Sequence, residues 1–130
     1  MDLFDVLYVE DNLRDWGKPF LEISKHEMNL NGYLVQSFEE LKSALDEGIR
    51  AKVYVVDGNF PRKTGGHEEK LAGEAIRIIK DTSSSQQNIL ILSSDSEMRK
   101  LAGEFGVDYM EKFEGINPML DYAFRLCKKD

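Results

Sequence analysis

Residues 3–11 read LFDVLYVED: a short aliphatic and aromatic run that ends on two carboxylates. A strand with one wet face alternates apolar with polar residues. A run that is apolar at successive positions suits a strand covered on both faces, as in a parallel sheet. The pattern recurs at Val53–Val56 (VYVV), Ile89–Leu92 (ILIL) and Val107–Met110 (VDYM), and more weakly at Tyr33–Gln36 (YLVQ). Their brevity and Val/Ile content disfavour buried helix segments.

Helical patterns fill the gaps. In Pro19–Leu30, Phe20, Ile23 and Leu30 share a face. Pro19 suits a first helical position, so Leu13–Lys18 reads as a loop or a separate turn. Ser37 with Glu40 is a capping box, opening a helix with Phe38, Leu41, Ala44 and Leu45 inward; Gly48 suits its stop. Ala72–Lys80 carries Ala72, Ala75, Ile76 and Ile79. Ser94 with Glu97 reads as a second capping box, before Met98, Leu101, Ala102 and Phe105, with Gly106 closing the helix. Asn117–Pro118 opens the last helix, with Leu120, Ala123, Phe124 and Cys127 at helical spacing, and Thr82–Gln87 reads as a connecting loop. The alternation βαβαβαβαβα specifies an α/β fold with a parallel sheet and helices on both faces.

The 130 residues fit one domain, 1–130. Apolar residues at 42% and charged residues at 32% describe an ordinary globular chain. The net charge of −7 argues against direct nucleic-acid binding or an anionic membrane surface as a partner. A single cysteine, Cys127, forms no intramolecular disulfide and no multi-cysteine zinc site. The acidic N-terminus is unlike a signal peptide, and no apolar run approaches a membrane span, so a cytoplasmic location is expected.

In open parallel sheets, ligands bind just beyond the carboxyl ends of the strands. Glu10 and Asp11 follow the first run, Asp57 the third, Ser93 and Ser94 the fourth, and Lys112 the fifth. Crowded carboxylates repel and call for a counter-ion. Mg²⁺ accepts carboxylate and water oxygens and leaves positions for phosphoryl oxygens. A carboxylate can serve as nucleophile and become an aspartyl phosphate, while an ammonium and a hydroxyl hold the phosphoryl oxygens. Each residue alone has an ordinary use. Glu10 and Asp11 could be solvated acids, Asp57 a turn residue before Gly58, Ser93 and Ser94 helix caps, Lys112 a surface lysine.

The segments VLYVEDN, VYVVDGNFP, ILILSS and DYMEKF, in this order, resemble the receiver domain of two-component response regulators over nearly the whole chain. The resemblance implies a doubly wound, flavodoxin-like sheet of five strands in the order 2-1-3-4-5. It implies that Asp57 is the phosphoacceptor and that Glu10, Asp11 and Asp57, with the Asn59 backbone carbonyl, hold Mg²⁺. Lys112 and Ser93 match the family's lysine and hydroxyl residue, and Tyr109 its switch aromatic. Asn59 and Asp95 occupy the positions that modulate hydrolysis of the aspartyl phosphate. The implied partners are a histidine kinase or phosphotransfer protein and a downstream protein target. Self-phosphorylation and self-dephosphorylation are the only chemistry expected, without turnover of a separate substrate. Nothing after the last helix reads as an output domain, which suits a single-domain regulator or a piece of a longer protein.

Four features depart from the family pattern. Phe113 follows Lys112 where proline is usual, which disfavours a cis peptide there. The connection Arg62–Leu71 is long and is expected to lid the site or meet a partner. The stretch Asp11–Pro19 is lengthened, and the helix after Ser93 is short. The first two keep a rival reading open, a degenerate receiver acting as a phosphorylation-independent binding module. An aspartyl-phosphate hydrolase is disfavoured, because Glu10-Asp11-Asn12 lacks the second aspartate two residues after the first. A flavodoxin-like electron carrier lacks its phosphate loop. His26 and His67 read as surface residues, Trp16, Phe20 and Phe124 as core, and Cys127 as a small buried hydrophobe.

Overall fold

The computed structural model describes residues 2–82 and 87–128; residues 83–86 of the expected connecting loop Thr82–Gln87 lie outside them. Five strands form the main sheet: β1 (Asp2–Val9), β2 (Gly32–Val35), β3 (Ile49–Asp57), β6 (Asn88–Ser93) and β7 (Asp108–Glu111). Every pairing among them is parallel, in the order β2-β1-β3-β6-β7, which is 2-1-3-4-5 when these strands alone are counted. The expected fold class is therefore observed.

The successive apolar residues of the strands supply two cores by alternation. Leu7 and Val9, Tyr54 and Val56, and Ile89 and Ile91 face one side, covered by α2 (Phe38–Asp46), α3 (Ala72–Asp81) and α4 (Glu97–Phe105). Val6 and Tyr8, Val53 and Val55, and Leu90 and Leu92 face the other, covered by α1 (Lys18–His26) and α5 (Ile116–Cys127). The same alternation, carried to the strand ends, sends Glu10, Asp57 and Lys112 toward the α1/α5 side and Ser93 toward the other.

Ser37 caps α2 as expected: its hydroxyl accepts the Glu40 N–H at 3.1 Å, while Glu40 accepts the Gln36 N–H at 3.0 Å. The residues after Asp11 form a five-residue π-helical turn, Leu13–Gly17, the separate turn expected there, held by the Asn12 side chain accepting the Asp15 N–H. Four expectations are corrected. Helix α1 ends at His26, because Asn29 turns left-handed at φ 53°; Leu30 enters the core from the following loop. Ser94 does not cap α4. Ser93 Oγ accepts the Asp95 N–H at 3.0 Å, and the Asp95 carboxylate then accepts the Glu97 N–H at 3.0 Å. Phe124 lies exposed on α5, because Met119, Leu120 and Ala123 form that helix's buried face. Cys127 is half-buried rather than buried, with its thiol donating to the Asp5 carbonyl.

The long connection after β3 holds an antiparallel hairpin of two-residue strands, β4 (Phe60–Pro61) and β5 (Glu68–Glu69). Among the described residues no peptide bond is cis, and Phe113 stands 80% exposed in a 3₁₀ turn, Lys112–Glu114. Among them no helix is long and apolar enough to cross a membrane.

Candidate functional site

The register of the sheet brings the carboxyl ends of β1 and β3 level, with Val9 opposite Val56. Glu10 continues that line, its N–H donating to the Val35 carbonyl at 2.9 Å, and so stands beside Asp57. Both residues are buried, where an unpaired charge is costly. Lys112 arrives from the end of β7. Its Nζ lies 2.6 Å from Glu10 Oε1 and 3.3 Å from Asp57 Oδ2, bridging the two acids.

Glu10 is held on every side. Tyr8, two residues earlier and on the same face, donates its buried hydroxyl to Oε1 at 2.9 Å. The Asn12 N–H donates to Oε2 at 3.1 Å. Trp16, carried by the π-helical turn, places its ring 4.8 Å from Lys112 Nζ, a cation–π contact that closes the solvent side. Trp16 is thus half in the core and half a cover for the lysine.

Burial first, and then the negative charge of Glu10, push the Asp57 carboxyl up to about 8, with Lys112 pulling the other way. Burial lowers the proton affinity of Lys112, but the charges of Asp57 and Glu10 outweigh it and the net direction is upward. Tyr8 is pushed upward by burial and by Glu10, which keeps its hydroxyl a donor. One lysine among three acids leaves the site short of positive charge.

Glu10, Asp11 and Asp57 offer carboxylate oxygens within 4.8 Å of one another. One of them, Asp11 Oδ1, is buried without a hydrogen-bond partner. Hard oxygen donors and an orphaned buried anion fit a divalent cation such as Mg²⁺. Asn59, two residues beyond Asp57 in the chain, is half-buried.

Ser93 ends β6 on the neighbouring strand and is buried. Gly58 makes room for it: a Cβ at Gly58 would stand 2.3 Å from Ser93 Oγ. Tyr109 donates its hydroxyl to the Ser93 carbonyl at 3.2 Å and to the Asp95 carbonyl at 3.4 Å, so it is tied to the β6–α4 loop. Arg99 covers its ring at 5.0 Å and pairs with Glu111 at 2.9 Å. Asp95, besides capping α4, lies 3.6 Å from Lys70 at the foot of the hairpin.

The structure thus gathers Glu10, Asp11, Asp57 and Lys112, with Ser93 at the adjoining strand end and Tyr109 behind it. Tyr8, Trp16 and Gly58 were not singled out from sequence for this site. Tyr8 was legible, being two residues before Glu10 on one strand face; Trp16 was not, because a π-helical turn has no sequence signature.

A five-stranded parallel sheet in this order is the flavodoxin-like fold, which receiver domains share. No protein-family model matches the sequence, and comparison with curated proteins finds no match. Solved structures do match. The non-phosphorylated receiver domain of HemR from Leptospira biflexa is 16% identical with a TM-score of 0.72, covering 100% of this chain and 97% of that one. A putative response regulator from Chloroflexus aurantiacus is 17% identical with a TM-score of 0.67, covering 95% of this chain and 97% of that one. The response regulator Rcp1 in its Mn²⁺-bound form is 16% identical with a TM-score of 0.66, covering 95% and 90%.

Proposed function

We propose that the chain is a phosphorylation-dependent signalling switch whose phosphoacceptor is Asp57. The observation that carries this reading is the Lys112 ammonium bridging buried Glu10 and Asp57, with Ser93 at the next strand end. A burial cost of this size is retained where a charged set has work to do.

Glu10, Asp11, Asp57 and the Asn59 carbonyl would hold Mg²⁺, which when bound neutralises charge on a transferring phosphoryl group. An Asp57 carboxylate oxygen attacks the phosphorus of a phosphohistidine presented by a histidine kinase or phosphotransfer protein. The O–P bond forms, and the P–N bond breaks with its electron pair leaving on the imidazole. Lys112 follows a phosphoryl oxygen and relaxes its hold on Glu10. Ser93, which accepts the Asp95 N–H in this state, turns to donate to a second oxygen. The loop carrying Ser93 and Asp95 shifts, and Tyr109, bonded to both carbonyls, shifts with it. The output is a change of population between two conformations, read by a downstream protein.

Water returns the site to its starting state by hydrolysing the acyl phosphate. Of the two flanking polar residues, Asn59 is the freer to orient that water. The Asp95 carboxylate is engaged with the Glu97 N–H and Lys70. No other substrate is turned over. The domain is 1–130, acting in the cytoplasm.

Incubation with Mg²⁺ and a small-molecule phosphodonor, read by intact mass, tests the reading. One added phosphoryl group, absent in Asp57→Asn, is expected. No addition in the wild type, or an addition that survives Asp57→Asn, contradicts it.

A further inference from the structure

The π-helical turn Leu13–Gly17 follows directly on the acidic pair and is built against it. Asn12 serves both. Its N–H donates to Glu10 Oε2 at 3.1 Å, while its carbonyl accepts the Trp16 and Gly17 N–H groups at 3.2 and 3.0 Å. Its side chain accepts the Asp15 N–H and donates to the Asp15 carboxylate. The end of the turn is seated on β2: a Cβ at buried Gly17 would stand 2.8 Å from the Leu34 side chain and 3.0 Å from that of Leu13. A turn fixed at one end to Glu10 and at the other to β2 sets the place of the ring it carries.

That ring meets Lys112. A lysine has a flexible four-carbon stem and an ammonium with three N–H donors. Glu10 Oε1 at 2.6 Å and Asp57 Oδ2 at 3.3 Å hold the ammonium, and the Trp16 ring stands 4.8 Å from Nζ. A third carboxylate in the place of the ring would take up positive charge that a phosphoryl oxygen needs. An aromatic face restrains a cation and leaves its charge uncommitted, most strongly where water is excluded. The lysine side chain is 16% exposed. Phe113, its neighbour in sequence, is turned out to solvent, so the covering ring is Trp16.

We propose that Trp16 is a positioning residue for phosphoryl uptake: its ring holds the Lys112 ammonium at the Asp57 rim before the phosphoryl group arrives. The inference rests on the phosphoacceptor reading above and adds a residue to it. A lysine ordered in advance spares the transfer step the entropy of fixing it. The ring acts through Lys112 and takes no part in bond making. The π-helical turn is what delivers it, because Asn12 references the turn to Glu10, the same acid that Lys112 grips.

The test compares the wild type with Trp16→Leu and Trp16→Met, which keep an apolar cover without a ring, and with Trp16→Phe, which restores one. Circular dichroism checks that each is folded. The first readout is NMR of the Lys112 ε-methylene protons, assigned by their loss in Lys112→Arg. The ring current is expected to shift them upfield in the wild type and Trp16→Phe but not in Trp16→Leu or Trp16→Met. The second is the rate of phosphoryl uptake from acetyl phosphate with Mg²⁺, followed by intact mass. It is expected to fall about fivefold in Trp16→Leu and Trp16→Met, the scale of one cation–π contact, and to stay near wild type in Trp16→Phe. An unshifted wild-type lysine signal, wild-type uptake in the folded Leu and Met variants, or a Trp16→Phe as slow as they are overturns the role of Trp16 while Asp57 remains the acceptor. No uptake by the wild type overturns the phosphoacceptor reading, and the positioning role with it.

Discussion

Two lysines in this molecule each sit between two carboxylates, and they have opposite consequences. Lys112 bridges Glu10 and Asp57, whose side chains are 1% and 9% exposed. Lys70 meets Asp95 and Glu97, which are 26% and 70% exposed. The charges are the same; the surroundings are not. At the surface, water and salt screen the Lys70 pairs, and two long side chains lose freedom to make them. In the interior, taking Lys112, Glu10 and Asp57 out of water costs more than their attraction readily returns, and removing one leaves another stranded. The Lys70 cluster is thus a fastening, whereas the Lys112 cluster is a stored imbalance that a cation can relieve.

The sharpest way to break this contrast is Lys112→Met. It leaves Glu10 and Asp57 buried with no cation and is expected to cost about 3–5 kcal/mol in urea unfolding without Mg²⁺. Added Mg²⁺ is expected to recover part of that loss. A cost no larger than that of a surface variant would show that the buried set is solvated after all.

The pH dependence comes next. The Asp57 carboxyl binds its proton more tightly in the folded chain, with a pKa near 8, than in the unfolded chain, near 4. Between those values the folded state holds more protons, so stability falls as pH rises through the window, on the order of a few kcal/mol. Thermal unfolding of the cation-free protein is expected to show that fall, and Asp57→Asn or saturating Mg²⁺ to flatten it. A wild-type profile as flat as that of Asp57→Asn would contradict the raised carboxyl.

Tyr8→Phe removes one buried hydroxyl and keeps the ring that packs on Phe20 at 5.1 Å. The expected cost is about 1.5 kcal/mol, the low end for a hydrogen bond to a charged group, because Lys112 still satisfies Glu10 Oε1. Smallest of all is Lys70→Ala. Its denaturant midpoint is expected to stay close to wild type, and salt to erase any difference. A large, salt-independent loss would place Lys70 in the same class as Lys112.

How much of this the sequence disclosed follows the strength of each local signal. LFDVLYV, VYVV and ILIL are apolar at successive positions, so their strands and the two-faced sheet were legible. The rim followed, because Glu10, Asp57, Ser93 and Lys112 stand at strand ends in chain order. The hairpin was not legible: β5 is Glu68-Glu69, two exposed acids with no periodicity, and its pairing depends on the anchors Phe60 and Leu71. Ser94 and Glu97 carry the spacing of a capping box, yet Asp95 performs the cap, because Ser93 first captures the Asp95 N–H. Phe124 fits the apolar stripe of α5 by type but lies one position past Ala123, rotated out of the core.

The central claim is that the imbalance at Lys112, Glu10 and Asp57 exists to accept a phosphoryl group on Asp57. Borohydride reduction turns an aspartyl phosphate into homoserine, which marks the site at the level of a single residue. After treatment with Mg²⁺ and a small phosphodonor, peptide mass mapping is expected to find that conversion at Asp57 alone, and not when Mg²⁺ is withheld. Conversion at another carboxylate, or none at Asp57 in a folded, Mg²⁺-loaded protein, would contradict the account.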